Sequence, residues 1–435
     1  MAASPGKPSL AGRVAFTYPS FRLYQVARFF IVLATEMQAV AIGWQVYDIT
    51  RRSLDIGLIG LAQFLPGILL FLVSGHTADR FDRRRVLTFG YAGFATCSAL
   101  LLAISLSHTQ SVRLIYGVSM LVGVVRSFNA PASRAILPAL VPEEHFHSAF
   151  AWGATIFEAA TILGPAVGGL IYAAFRGPAP VYAAAMTTAA MAAISMLGVR
   201  LRSRQRPRAP FNRHTVVAGL HYIWREKLVL GSISLDLFAV LLAGAVALLP
   251  AYARDILKTG PWGLGLLRCA PAIGAGAMAL LLAYRPLRSK FGAKMLWCVA
   301  GFGVATIAFA LSRSIIFSML ALVMVGATDM VSVVVRGILI QLATPDEMRG
   351  RVNAVDMIFI GASNELGAFE SGVTASWWGL VPACVIGGIG SIVVTALWVW
   401  MFPELRNADQ LTSAEGQVTV PAAESRQPVE TFRSE

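Results

Sequence analysis

Charge is what this sequence has least of. Only 14% of its 435 residues are Asp, Glu, Lys or Arg, against about 25% in an ordinary soluble domain, and a surface that meets water on every side is excluded. Cysteine is scarce too. Cys97, Cys269, Cys298 and Cys384 each fall inside an apolar run with no pair at metal-ligand spacing, so they read as packing residues rather than a disulfide framework or a zinc site. His145 and His147 flank Phe146 without a further ligand cluster, and no metal or cofactor is expected. No GxxxxGK[ST] phosphate loop occurs, which argues against an ATP-driven machine, and no Ser, Cys and His arrangement suggests an enzyme. The opening stretch MAASPGKPSLAGRVAFTYPS has no apolar core of a cleaved signal.

What is abundant is apolar sequence: 56% hydrophobic residues and a mean hydropathy of +0.66. The chain is expected to be an all-α, multi-pass membrane protein with the lipid bilayer as its solvent. Apolar runs place spans near 22–47, 56–75, 86–107, 114–138, 149–174, 180–199, 229–252, 263–284, 293–312, 315–340, 352–375 and 380–402. The net charge of +13 is carried by basic residues in alternate loops, which marks membrane orientation and not nucleic-acid binding. Arg80, Arg83, Arg84, Arg85, Arg134, the run from Arg200 to Lys227, Arg285, Arg288, Lys290, Lys294, Arg349 and Arg351 share one side. The other side has only Arg51, Arg52, Arg113, Arg176, Arg254, Lys258 and Arg313. That asymmetry predicts cytoplasmic termini.

Four regions follow: a six-helix half over 1–199, a cytoplasmic linker with an amphipathic helix over 200–227, a second six-helix half over 228–403, and a disordered cytoplasmic tail over 404–435. An internal repeat supports the two halves. Arg134 to Leu137 with Pro142 recurs as Arg336 to Leu339 with Pro345, offset by 202 to 203 residues, and similar offsets relate Asp48 to Asp255, Pro66 to Pro271 and Arg80 to Arg285. Parallel halves related by an axis along the membrane normal, with a substrate path between them, are expected. The charged stretch Gly75 to Leu87 reads as a loop between spans 2 and 3.

That stretch carries a resemblance. Gly75, Asp79, Arg80, Arg83 and Arg84 fill the Gly-x-x-x-Asp-Arg-x-Gly-Arg-Arg loop pattern of the major facilitator superfamily, with Asp82 in place of the second glycine. The resemblance implies a conformational latch, with Asp79 paired to Arg134. Gly164, Pro165, Gly168 and Gly169 resemble the fifth-span Gly-Pro-x-x-Gly-Gly pattern of antiporter-type exporters, implying a hinge. FRLYQVARFF from Phe21, QVYDITRRSLDIGLIG from Gln45 and RGRVNAV from Arg349 are similar to the enterobactin-exporter and macrolide-efflux-like branch, the transmembrane secretion effectors. The branch implies a monomer in the bacterial inner membrane. It would export a hydrophobic or amphiphilic small molecule, drug-like or siderophore-like, in exchange for protons. Uptake by proton symport, and a non-transporting receptor or scaffold of the same fold, are the competing readings.

Ionisable residues inside spans cost ~2.5 to 3.5 kcal/mol on insertion scales and so face a cavity or a partner. Here they are Glu36, Arg126, Glu158, Asp236, Arg268, Asp329, Asp356, Glu365 and Glu370. In the superfamily resembled, spans 1, 4, 7 and 10 line the central cavity. Glu36, Arg126, Asp236 and Asp329, with Glu365, are therefore the candidate proton and substrate sites, and Arg126 with Asp329 is a candidate neutral pair.

Overall fold

The computed structural model describes residues 14–107, 110–201, 213–287 and 289–408, side chains at 71, 72, 78, 79, 213–216 and 346 excepted. Among those residues every regular element is helical. The first half comprises α1 (Pro19–Thr50), α2 (Ser53–Leu69), α3 (Phe71–Arg80), α4 (Arg83–Leu106), α5 (Val112–Ile136), α6 (Phe146–Phe175) and α7 (Ala179–Leu197). After α8 (Arg213–Arg225), the second half comprises α9 (Lys227–Leu242), α10 (Gly260–Tyr284), α11 (Phe291–Leu311), α12 (Ile315–Ala343), α13 (Asp346–Trp378) and α14 (Leu380–Met401).

Ten of the helical stretches are long and apolar enough to cross a membrane, and two further segments bring the layout into line with twelve spans. The second span is split at Leu70, where Pro66 has removed a backbone donor from the preceding turn. Span 11, α13, is 33 residues long but carries Asp356, Glu365 and Glu370 within it. The seventh span is also broken: α9 stops at Leu242, and short turns over Ala245–Leu248, Leu249–Ala251 and Tyr252–Ile256 complete the crossing. Gly244 and Pro250 account for the break, one lacking a side chain to pack and the other lacking an N–H.

Packing follows the repeat. In the first half α4 lies against α7 and α5, and α1 against α6 and α7; in the second, α10 and α11 lie against α12, and α11 against α14. The two most extensive contacts between the halves are α6 with α10 and α2 with α13. Both are backbone approaches between glycines. A Cβ on Gly169 of α6 would stand 2.9 Å from the Cα of Gly265, and one on Gly372 of α13 would stand 2.9 Å from the Cα of Gly57. All four glycines lie toward the face opposite Pro19, where α1 begins, and Met401, where α14 ends; that is here the far face, and the other is the terminal face.

Two expectations need correction. Gly75 to Leu87 is not a loop: Gly75 to Arg80 end α3, Arg83 to Leu87 begin α4, and only Phe81 and Asp82 lie between. Charged residues leave the membrane without leaving the helix, and Asp82 caps α4 by accepting a hydrogen bond from the Arg84 N–H at 2.9 Å. The tail begins later than Glu404, since Leu405 and Ala408 are buried against the second half; residues 409–435 lie outside those described. The linker's helix is α8, and it is amphipathic. Ile223 packs among Val229, Ile233, Val352 and Val355 while Val217 and Trp224 are exposed. Residues 202–212 of the linker lie outside those described.

Candidate functional site

Between the halves lies a cavity of about 710 Å³, within the 300–1,000 Å³ common for small-molecule sites. Its wall runs along α1 from Arg28 to Gly43 and along α5 from Val122 to Arg134. Arg134 is within a turn of the terminal-face end of α5, whereas Gly43 is about two turns short of the far-face end of α1. Arg134 thus carries the wall close to the terminal face, while toward the far face, where Ile56 lies one turn from the end of α2, the glycine contacts bring the halves together.

Two ion pairs cross it, each joining one half to the other. Arg126 of α5 donates from Nη1 to Glu365 Oε1 of α13 at 2.9 Å. Glu36 of α1 faces Arg268 of α10 at 4.0 Å. The polarity alternates: the first half supplies the cation of one pair and the anion of the other. Glu36 reaches this position because Gly164 of α6 leaves room for it, a Cβ there falling 2.5 Å from the Glu36 Cβ.

A second polar cluster seals the far face. Asp48 binds Arg254, and Asp255 accepts from the Tyr47 hydroxyl and faces Arg51 at 3.9 Å. The two repeat-related aspartates are therefore each satisfied by the opposite half. Arg254 also stacks on Trp44, 5.5 Å from the ring centroid. At about 1.5 Å per residue the 32-residue α1 is ~48 Å long, well beyond a ~30 Å hydrocarbon core, and this seal sits at its end.

Glu36, Arg126 and Glu365 line the cavity as expected; Asp236 and Asp329 do not. Those two border a separate void inside the second half, about 10 Å³, the size of one water, with Thr328, Ser332 and Val299. Asp236 there binds the buried Arg336, whose Nε stands 3.5 Å from Asp356 Oδ1. Arg126 is paired with Glu365 rather than Asp329, because helix α12 directs Asp329 into its own half. Arg336 was missing from the inventory of intramembrane charges, although it follows Asp329 by seven residues, two turns along one helical face. Arg28 is a cavity residue that the inventory of intramembrane charges missed, although it lies inside the first expected span. Glu158 and Glu370 lie outside the cavity wall, and Glu370 accepts from Thr374 Oγ1 at 2.6 Å.

The latch residues act on helix ends. Arg83 Nη1 donates to the Ala135 carbonyl at 2.6 Å, and Arg84 Nε donates to the Met196 carbonyl at 3.2 Å while its Nη2 donates to Leu197. These carbonyls end α5 and α7, where cations are favoured by unpaired acceptors and by the helix dipole. Arg80 is exposed. The Asp79 side chain, and with it the expected pair with Arg134, lies outside the described residues. In the fifth span, Gly164 and Gly168 admit Glu36 and Met37 of α1, while Gly169 and the Pro165 carbonyl meet Gly265 of the other half; α6 runs through Pro165 unbroken.

Residues 12–431 match the family model described as transmembrane secretion effector. The chain is similar to the enterobactin exporter EntS of Shigella boydii serotype 4 (strain Sb227), 26% identical over 402 residues, covering 91% of this chain and 94% of that protein. The EntS of Escherichia coli O157:H7 is likewise 26% identical, over 412 residues, at 92% and 97% coverage. In architecture the chain is similar to the nucleoside transporter NupG, in a single-substitution mutant form, with a TM-score of 0.73 at 11% identity over 88% of this chain and 100% of that one. A peptide transporter, POT, gives 0.70 at 12% identity over 89% and 95%. The paired glycine contacts, the cavity between two six-helix halves and the family match agree, and the chain belongs to the transmembrane secretion effectors of the major facilitator superfamily.

Proposed function

We propose that this protein is a secondary active exporter that exchanges protons for a hydrophobic or amphiphilic small molecule by alternating access. The observation that carries the reading is the cavity bridged by Arg126–Glu365 and Glu36–Arg268. Each carboxylate holds the halves together only while ionised. Protonation of Glu36 or Glu365 removes the charge that its arginine faces and loosens that bridge, which couples proton entry to rocking of the halves. With cytoplasmic termini, as the basic terminal-face residues favour, the cavity faces the cytoplasm and the Asp48–Arg254 seal closes the outside. Similarity to enterobactin exporters supports outward movement of a siderophore-like or drug-like cargo. In this scheme Asp236, Asp329 and Arg336 hold the second half rigid, Arg83 and Arg84 brace the first, and Gly169 is the pivot against α10.

Inverted vesicles carrying the protein should accumulate a cargo dye when a proton gradient is imposed. Glu36→Gln and Glu365→Gln should each remove gradient-driven uptake while leaving the amount of protein in the membrane unchanged. Full coupling in both variants would overturn the assignment.

A further inference from the structure

The cavity wall is not electrically balanced. Arg28, Arg126, Arg134 and Arg268 line it against Glu36 and Glu365, a formal excess of two positive charges. Both glutamates are already paired, with Arg126 and Arg268. Arg28 and Arg134 are the cations left over, and they belong to one region of the wall. The Tyr24 hydroxyl lies 3.1 Å from both the Ser133 carbonyl and Oγ, tying α1 to α5 at this level. Arg28 follows Tyr24 by one helical turn, and Arg134 follows Ser133 directly. Asp356, whose charge reaches Arg134 from the other half, is engaged by Arg336.

Next to this basic lobe the surface is apolar. The Arg28 guanidinium lies over the Phe157 ring, 5.4 Å from its centroid, and Ile31, Val32, Phe94 and Val122 continue the wall. Cationic guanidinium groups beside an aromatic and aliphatic surface suit a molecule with an acidic head and an apolar body. A cationic amphiphile would have to displace an arginine from a glutamate to find a counter-charge.

We infer that the cargo is an amphiphilic organic anion, its carboxylate, sulfonate or comparable acidic group held by Arg28 and Arg134 and its apolar body against Phe157 and Phe94. The inference rests on the exporter reading for its direction of transport but not for the chemistry of the site.

Fluorescein and rhodamine 123 share a xanthene frame and carry opposite charge at neutral pH, and both report binding by fluorescence anisotropy. With purified full-length protein in maltoside micelles, fluorescein should bind more tightly than rhodamine 123. Arg28→Gln combined with Arg134→Gln should weaken fluorescein about tenfold or more, the loss of one to two charged hydrogen bonds. The same two positions changed to Lys should retain most of the affinity, which separates lost charge from lost fold. Equal or tighter binding of rhodamine 123 by the unmodified protein, undiminished fluorescein binding in the Gln pair, or binding of neither dye would each overturn the assignment. Transport separates the two readings. Arginine-dependent fluorescein binding without gradient-driven flux of either dye removes the exporter and keeps the anion site. Gradient-driven movement of rhodamine 123 without fluorescein does the reverse.

Discussion

Arg134 and Arg336 hold matching positions in the two halves, 202 residues apart, and have opposite surroundings. Arg134 is exposed to the cavity. Arg336 is 3% exposed and bound between Asp236 and Asp356. The fold was duplicated, but among the described residues no carboxylate forms an ion pair with the first arginine, which Asp356 reaches only at longer range. One half therefore keeps its charge internal and fixed, and the other presents it to whatever enters the cavity. Symmetry of helices does not carry over to symmetry of electrostatics, because a single neighbouring side chain decides whether an arginine is structural or available.

The comparison breaks if both arginines prove equally important to stability. Arg336→Met should cost on the order of 3–5 kcal/mol, since it strands buried carboxylates, and Arg134→Met at most about 1 kcal/mol, as for an exposed charge. Thermal melts of the two variants in the same detergent decide it, and equal shifts would reject the contrast. The far-face seal, where the halves do share their charges evenly, offers a sharper test. Asp48→Asn with Asp255→Asn should raise labelling of a cysteine placed at Gly43 from the far face about tenfold, a change of ~1.4 kcal/mol in the opening equilibrium; either single change alone should give a smaller, similar increase. The smallest effect belongs to the link between α3 and α4. Asp82→Ala should lower stability by ~1 kcal/mol, whereas Asp82→Gly should cost only a few tenths, because glycine also tolerates the cap position.

Much of this was legible in the chain. Apolar runs located the spans because a bilayer demands length and hydrophobicity, and the repeat announced two halves. Glu36, Arg126 and Glu365 were found in the cavity because an intramembrane charge needs a partner. The pairing was not legible. Arg126 meets Glu365, 239 residues away, and Glu36 meets Arg268, contacts that arise only when the halves are docked. Asp236 and Asp329 looked equivalent to them because span number alone does not fix which way a side chain turns about its helix. The helical run of charges from Gly75 to Leu87 misled for a different reason: polarity reports where the lipid ends, not where the helix does.

The break in span 7 gives the molecule a joint. Leu228, Leu235 and Ala239, before the break, belong to the core of the second half. Leu248, Leu249, Tyr252 and Ala253, after it, belong to the large core continuous with the first half. The Leu241 and Val240 carbonyls at the end of α9 rest against Gly367, about 3 Å from where its Cβ would lie. Tyr252 also packs on Phe309 and donates to the Ala310 carbonyl, so the outer piece bridges the two halves while the inner piece belongs to the second alone. Span 7 is thus a rod cut in two: the part that carries Arg254 of the far-face seal is packed separately from the part that carries Asp236 and its bond to Arg336.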